Sequence, residues 1–148
     1  MQVIHEKNFV FIIAGDGPRL RYFECLVKRN NLENNIFFRG FVSENDKFDY
    51  LKWTDLFISI DWADFTITTI EALALGTKSL VSTEREIDEE IIKTKLVYFT
   101  KPNAIDTYKE IVKIIKLKNS SCPKNLQKFF KKYTWETYCK NLLNHIEN

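Results

Sequence analysis

A chain of 148 residues is the size of one domain, and 45% apolar with 14% aromatic content supplies a core, which excludes a disordered tail. A net charge of +2 gives no electrostatic reason to expect a nucleic-acid partner, although ten lysines face four acids after residue 100 and leave residues 1–100 at −4. Three scattered cysteines (Cys25, Cys122, Cys139) and two histidines near opposite ends (His5, His145) speak against a metal centre or a disulfide framework.

The start, MQVIHEKN, is charged and has no apolar h-region, so no signal peptide is expected. No apolar run approaches the ~18 residues of a membrane span, and a reducing cytosol is the expected compartment. In chain order, Phe9–Ala14 reads as a strand and AGDGP as a turn with Pro18 at the first helical position. Leu20, Phe23, Leu26 and Val27 then form a helical stripe. Ile36–Arg39 is a second strand, Ser43 a cap for a helix through Phe48 and Leu51, and Leu56–Ile60 a third strand. Ile70–Leu75 is helical and stops at Gly76; Ser79–Ser82 and Val97–Thr100 are strands; beyond about residue 101 the pattern is wholly helical. The apolar runs are continuous rather than alternating, as in strands buried on both faces. The expected fold is therefore α/β: one domain over 1–148, a Rossmann-like parallel sheet flanked by helices, with an all-helical segment over 101–148.

In such folds ligands bind where strands end and helices begin. The first loop of that kind holds Gly15 and Gly17. It is either an ordinary strand-to-helix turn or a place where free N–H groups receive an anion. The second holds Thr68-Thr69-Ile70-Glu71. Thr68 as N-cap and Glu71 at N3 would make a capping box. Alternatively, the amides around Ile67–Thr69 meet a diphosphate and Glu71 accepts from ribose hydroxyls.

The order of motifs favours the second use. AGDGPR is followed by NNLENNIFFRGFVSENDKFDYL, then TDLFISIDWADFTITTIEALALGTKSLVST, then KKYTWETYCKNLL. This series resembles the C-terminal, nucleotide-sugar-binding half of retaining GT-B glycosyltransferases of family 4, the "glycosyl transferases group 1" type. The resemblance covers almost the whole chain. It implies transfer of a hexose from a nucleotide diphosphate sugar to an acceptor hydroxyl with retention, in polysaccharide or glycolipid synthesis, and no cofactor or metal. By the same resemblance Glu71 holds the donor ribose, and the amides of Ile67 and Thr68 receive the diphosphate. Phe41 and Val42 lie against the nucleobase, and Gly15 and Gly17 shape a loop at the same level. No residue is assigned a catalytic role.

Some features depart from the family. Ala63 stands where the family has its first glutamate, with Asp61 and Asp64 out of register; Asp64 and Thr66 replace two glycines; Lys78 replaces a proline. The acceptor-binding N-terminal domain and the first strand of the donor domain have no counterpart here. That implies either direct pairing of the flanking strands or a strand and acceptor domain supplied in cis or trans. The chain alone is then expected to be inactive. A truncated or degenerate module that binds nucleotide sugar or a partner without catalysis is the alternative, and a likeness of fold alone, as to sugar-nucleotide epimerases, is a third.

The last segment of interest is KNLQKFFKKYTW, Lys124–Trp135. Leu126, Phe129, Phe130 and Tyr133 fall at helical spacing among lysines. They are either a helix packed on the domain's own sheet or, with the acceptor domain absent, an exposed patch for self-association or for peripheral contact with anionic membranes.

Overall fold

The computed structural model describes residues 9–60, 67–117 and 126–146. Strands and helices alternate as the apolar pattern requires: β1 (Phe11–Ala14), α1 (Leu20–Arg29), β2 (Ile36–Gly40), α2 (Glu44–Trp53), β3 (Phe57–Ser59), α3 (Ile67–Ala74), β4 (Ser79–Ser82), α4 (Glu89–Ile92) and β5 (Val97–Thr100). Then come α5 (Ala104–Lys116), α6 (Leu126–Phe130), a 3-10 turn at Lys131–Tyr133 and α7 (Trp135–Ile146). Strand pairing is parallel throughout: β1 with β2 in one sheet, and β3–β4–β5 in that order in another. The α/β architecture with parallel sheets, helical flanks and a helical C-terminal segment is the expected one. The chain divides into two compact units, residues 1–47 and 48–148.

In the smaller unit β1 and β2 pair from Phe11 opposite Ile36, and the register slips after Ile13 so that Ala14 stands opposite Gly40. Asn35 anchors the ladder: its carbonyl accepts from Phe11 N at 2.7 Å and its Nδ2 donates to Phe9 O at 2.8 Å. Pro18 precedes the first helical residue by two, in a turn closed by Leu20 N donating to Gly17 O at 3.1 Å. It therefore shapes the approach to α1 rather than opening it. Lys28 and Arg29 close α1, where cations suit the negative end of the helix. A second expectation is corrected here. β1 is not buried on both faces, since Phe11 and Ile12 are 39% and 38% exposed, and no described residue of this unit is fully buried. Two strands and one helix offer too little surface to cover a sheet twice.

α2 opens on Ser43 as predicted, with Ser43 Oγ accepting from Asp46 N at 3.2 Å. In the larger unit β4 is buried along its whole length. Leu73 of α3, Val81, Ile91, Leu96, Val97, Leu126 and Phe130 form the core, with Ile70, Ile87, Phe99, Phe129 and Tyr133 packed on it. α3 ends as the sequence indicates. Gly76 has φ +86°, Gly76 N donates to Leu73 O at 3.0 Å and Thr77 N to Ala72 O at 2.9 Å, which satisfies the last carbonyls of the helix. Thr77 Oγ1 then donates to Leu51 O at 2.7 Å.

α6 and its 3-10 turn show where the aromatic segment packs. Leu126 and Phe130, one helical turn apart, are buried in the core, and Phe129 stacks edge-on against Phe130 with ring centres 5.0 Å apart. Leu126 and Phe130 thus belong to the unit's own core, with Phe129 and Tyr133 half-buried against it, as the first of the two readings expects. Exposed apolar side chains lie instead along α7, from Trp135 (71% exposed) to Ile146. No helix among the described residues is long and apolar enough to cross a membrane.

A polar clasp holds the 3-10 turn to α4. Asp88 caps α4 by accepting from Glu90 N at 2.8 Å, and its other oxygen accepts from the Tyr133 hydroxyl at 2.7 Å. Lys132 pairs with Glu90 and lies 4.9 Å from the centres of the Phe129 and Tyr133 rings. The Tyr133 hydroxyl, then the Glu90 amide, hold the Asp88 carboxyl below its ordinary value. Burial, then the bond to Asp88, raises Tyr133, and the Glu90 bond raises Lys132.

Two outcomes follow from this packing. Because Phe130 is core, Phe130→Ala should cost about 3–5 kcal/mol in denaturant unfolding, and Phe129→Ser with Phe130→Ser should leave no cooperative transition. A double mutant that stays folded would place the rings outside the core. The lowered Asp88 value means its contribution is complete above about pH 4, its unfolded value, and is lost as pH falls through the folded one. The raised Tyr133 and Lys132 values act at neutral pH and are lost above about pH 10. Melting temperature should accordingly be level near neutrality and fall on the acid side, and Asp88→Asn, which still caps, should flatten that acid limb.

Candidate functional site

Each unit holds some of the residues singled out by the sequence, and each is described by itself. In the smaller one, Gly15 has φ +121°, a conformation that side-chain-bearing residues rarely adopt, and its amide donates to Gly40 O at 2.7 Å. That bond brings the Gly15–Gly17 turn against the segment Gly40-Phe41-Val42. Gly17 N donates to Asp16 Oδ1 at 2.7 Å, so both glycine amides are engaged within the unit, and the turn acts by shape. Phe41 is 92% exposed and Val42 half-buried. An aromatic ring held out in this way, beside a backbone clamp, has the surface on which a planar base can stack.

In the larger unit the site is the first turn of α3. Ile67, the first described residue of α3, is already helical, so Thr68 lies inside the helix and is not its N-cap. The capping box predicted for Thr68 and Glu71 is therefore not formed in that register. Burial shows how α3 is oriented: Thr69, Ala72 and Leu73 are buried, whereas Ile67 is exposed and Thr68 and Glu71 are half-buried. Glu71 lies four residues after Ile67 and three after Thr68, the spacings that bring helical side chains together. The Oε2 oxygen of Glu71 is itself shielded from water. N–H groups in the first turn of a helix have no partner within it, and the helix dipole makes that end attractive to anions. Ala63, Asp61, Asp64 and Thr66 lie outside the described residues.

One neighbour escaped the sequence analysis. Arg85, in the loop after β4, donates from Nη1 to Thr69 Oγ1 at 3.2 Å and from Nη2 to Ser59 Oγ, at the end of β3, at 3.4 Å. It is 8% exposed. The available signal was a lone arginine among acids in TEREIDEE, just beyond the carboxyl end of a buried strand.

Residues 1–134 match the model of the family "Glycosyl transferases group 1". Among solved structures the chain is similar to sucrose-phosphate synthase from Thermosynechococcus elongatus, with a TM-score of 0.69 and 17% identity over 92% of this chain and 37% of that one. It is also similar to the catalytic domain of cholesterol-alpha-glucosyltransferase from Helicobacter pylori, with a TM-score of 0.66 and 20% identity over 88% of this chain and 83% of that one. At these identities the likeness is one of fold, the GT-B fold, and the chain spans only 37% of the synthase. No curated protein sequence matches it.

The glycine turn yields a paired test. A Cβ added at Gly15 or Gly17 meets nothing within 4 Å, so only backbone conformation separates them. Gly15→Ala should destabilise residues 9–47 by about 1–3 kcal/mol, read by hydrogen exchange, while Gly17→Ala stays within about 0.5 kcal/mol of the parent. Equal effects would show that the strained turn is not what holds Phe41 and Val42.

Proposed function

The chain belongs to the glycosyl transferases group 1 family, and from that membership we propose that it forms the donor-binding part of a retaining hexosyltransferase that draws on a nucleotide diphosphate sugar. Family and fold support glycosyl transfer; donor, sugar and stereochemistry rest on the residue correspondence. The observation that carries the reading is the orientation of α3, which turns Ile67, Thr68 and Glu71 away from the core while Thr69, Ala72 and Leu73 hold the helix in it.

In this reading the donor diphosphate lies against the first amides of α3, at Ile67 and Thr68. Glu71, one turn further along the same face, accepts from the ribose hydroxyls. For the smaller unit, taken by itself, the resemblance assigns the Phe41–Val42 segment to the nucleobase, and the Gly15–Gly17 turn supports its backbone. As the glycosidic bond to the diphosphate breaks, negative charge grows on the leaving oxygens, and the oriented amides oppose that charge without reorganising. The protein's help is electrostatic. An acceptor hydroxyl is the incoming nucleophile, brought by an acceptor-binding domain in cis or trans. One observation favours a second reading, a nucleotide-sugar-binding module without catalysis: Ala63 occupies the position of the family's first glutamate. Transfer or donor hydrolysis by the 148-residue chain, above a Glu71→Ala control, would exclude that module.

Calorimetric titration with UDP and GDP tests the donor site. A hydrogen bond to a charged group contributes about 1.5–3 kcal/mol, so Glu71→Gln should weaken binding by about tenfold or more. Its melting temperature should hardly move, because the helix keeps its stop at Gly76 and its buried face. Binding that is the same in parent and mutant would remove Glu71 from the site.

A further inference from the structure

We propose that Arg85 is a positioning residue for this donor site: its guanidinium braces Thr69 in the first turn of α3 against Ser59 at the end of β3, and so sets the direction in which the α3 amides and Glu71 face a diphosphate. The inference rests on the donor-site reading above and adds a residue to it.

Several features of the loop after β4 carry it. Its backbone is fixed at each step, by Thr83 N donating to Thr100 O at 2.9 Å, Glu84 N to Ser82 Oγ at 3.1 Å and Arg85 N to Ser82 O at 3.2 Å. The side chains of this loop divide sharply. Glu84, Glu86 and Asp88 are exposed, whereas Arg85 turns inward with its Nε shielded from water. Taking a guanidinium out of water is unfavourable unless its donors are used. Two of them are used by hydroxyls of different elements, Ser59 on β3 and Thr69 on α3, the second of which is only 2% exposed. Thr69 lies on the buried face of α3, next in sequence to Thr68, so its side chain is a handle by which this turn of the helix can be held. A planar fork that reaches two hydroxyls at once fixes the distance between strand end and helix start, which a single flexible ammonium does not. The fixed charge also adds to the positive end of the α3 dipole, which faces the same direction as the amides assigned to the diphosphate.

The experiment uses the 148-residue chain and the variants Arg85→Met, Arg85→Lys, Thr69→Val and Thr69→Ser, with melting temperature, amide resonances and titration with UDP and GDP. Arg85→Met and Thr69→Val should each shift the amide resonances of residues 67–71 in the ligand-free chain, leave those of β5 in place, and weaken nucleotide binding about tenfold. Combined, they should be no weaker than either alone, since both break one brace. Thr69→Ser, which keeps the hydroxyl, should bind like the parent, and Arg85→Lys should not restore binding. Should Arg85→Met fail to fold, the Thr69 pair carries the test. The proposal is overturned if the resonances of residues 67–71 stay put, if Arg85→Lys binds like the parent, or if the two losses add. A parent chain that binds neither nucleotide removes the donor-site reading itself. Shifted resonances in that case would make Arg85 a structural brace alone, which also overturns its role at a donor.

Discussion

Strand β4 runs between β3 and β5 with all four of its residues out of water, and that burial governs the rest of the larger unit. Leu80 and Val81 have no exposed surface, and burying such side chains is worth about 1.5–3 kcal/mol each. Coverage of a central parallel strand has to come from helices on its faces. α3, α4 and α6 answer that need from one side of the chain's order to the other: Leu73, Ile91, Leu126 and Phe130 share a cluster with Val81 and Val97. Ser79 and Ser82 are buried at the two ends of the strand. Each uses its hydroxyl locally, Ser79 towards Thr77 O and Ser82 towards the amide of Glu84.

The candidate site is a by-product of that packing. α3 follows β3 and must lay Thr69, Ala72 and Leu73 on the sheet, which leaves Ile67, Thr68 and Glu71 on the opposite side. The termination of the helix matters as much as its start. With Gly76 in the left-handed region, the chain reverses at once, and Thr77 and Lys78 lead into β4 within two residues. Lys78, in place of the family's proline, is itself buried, and its Nζ donates to Leu117 O at 3.0 Å. The departure from the family thus has a structural use, satisfying a carbonyl at the end of α5.

The smaller unit is built from the same kinds of element to a different result. β1 and β2 pair in parallel and α1 follows the turn between them, yet none of their described residues is fully buried, and Phe41 stands almost entirely in solvent. Little apolar burial and exposed backbone hydrogen bonds are the conditions under which local opening is easiest. Phe41 thus stands on the more loosely packed unit, and α3 on the better-packed one.

How much could be read in advance depended on how local the cause was. Strands Ser79–Ser82 and Val97–Thr100, the cap at Ser43 and the stop at Gly76 are where the sequence puts them, because each depends on side chains within a few residues of itself. α3 is already helical at Ile67, ahead of the expected Ile70, so Thr68 and Thr69 lie within the helix, with Thr69 on its buried face. The apolar run of β1 looks no different from that of β4, yet one is exposed and the other dry, because burial depends on what distant segments supply as cover. For the same reason Phe129 and Phe130 could be assigned to core or surface only once α3 was seen beneath them. Arg85 is the plainest case: it lies 16 residues from Thr69 and 26 from Ser59, and only the parallel order β3–β4 brings the loop after one strand to the end of the other. The sequence determined the elements, their stops and the family resemblance. The tertiary structure decided which faces stay dry and which side chains from separate loops meet, because both depend on contacts that no local pattern encodes.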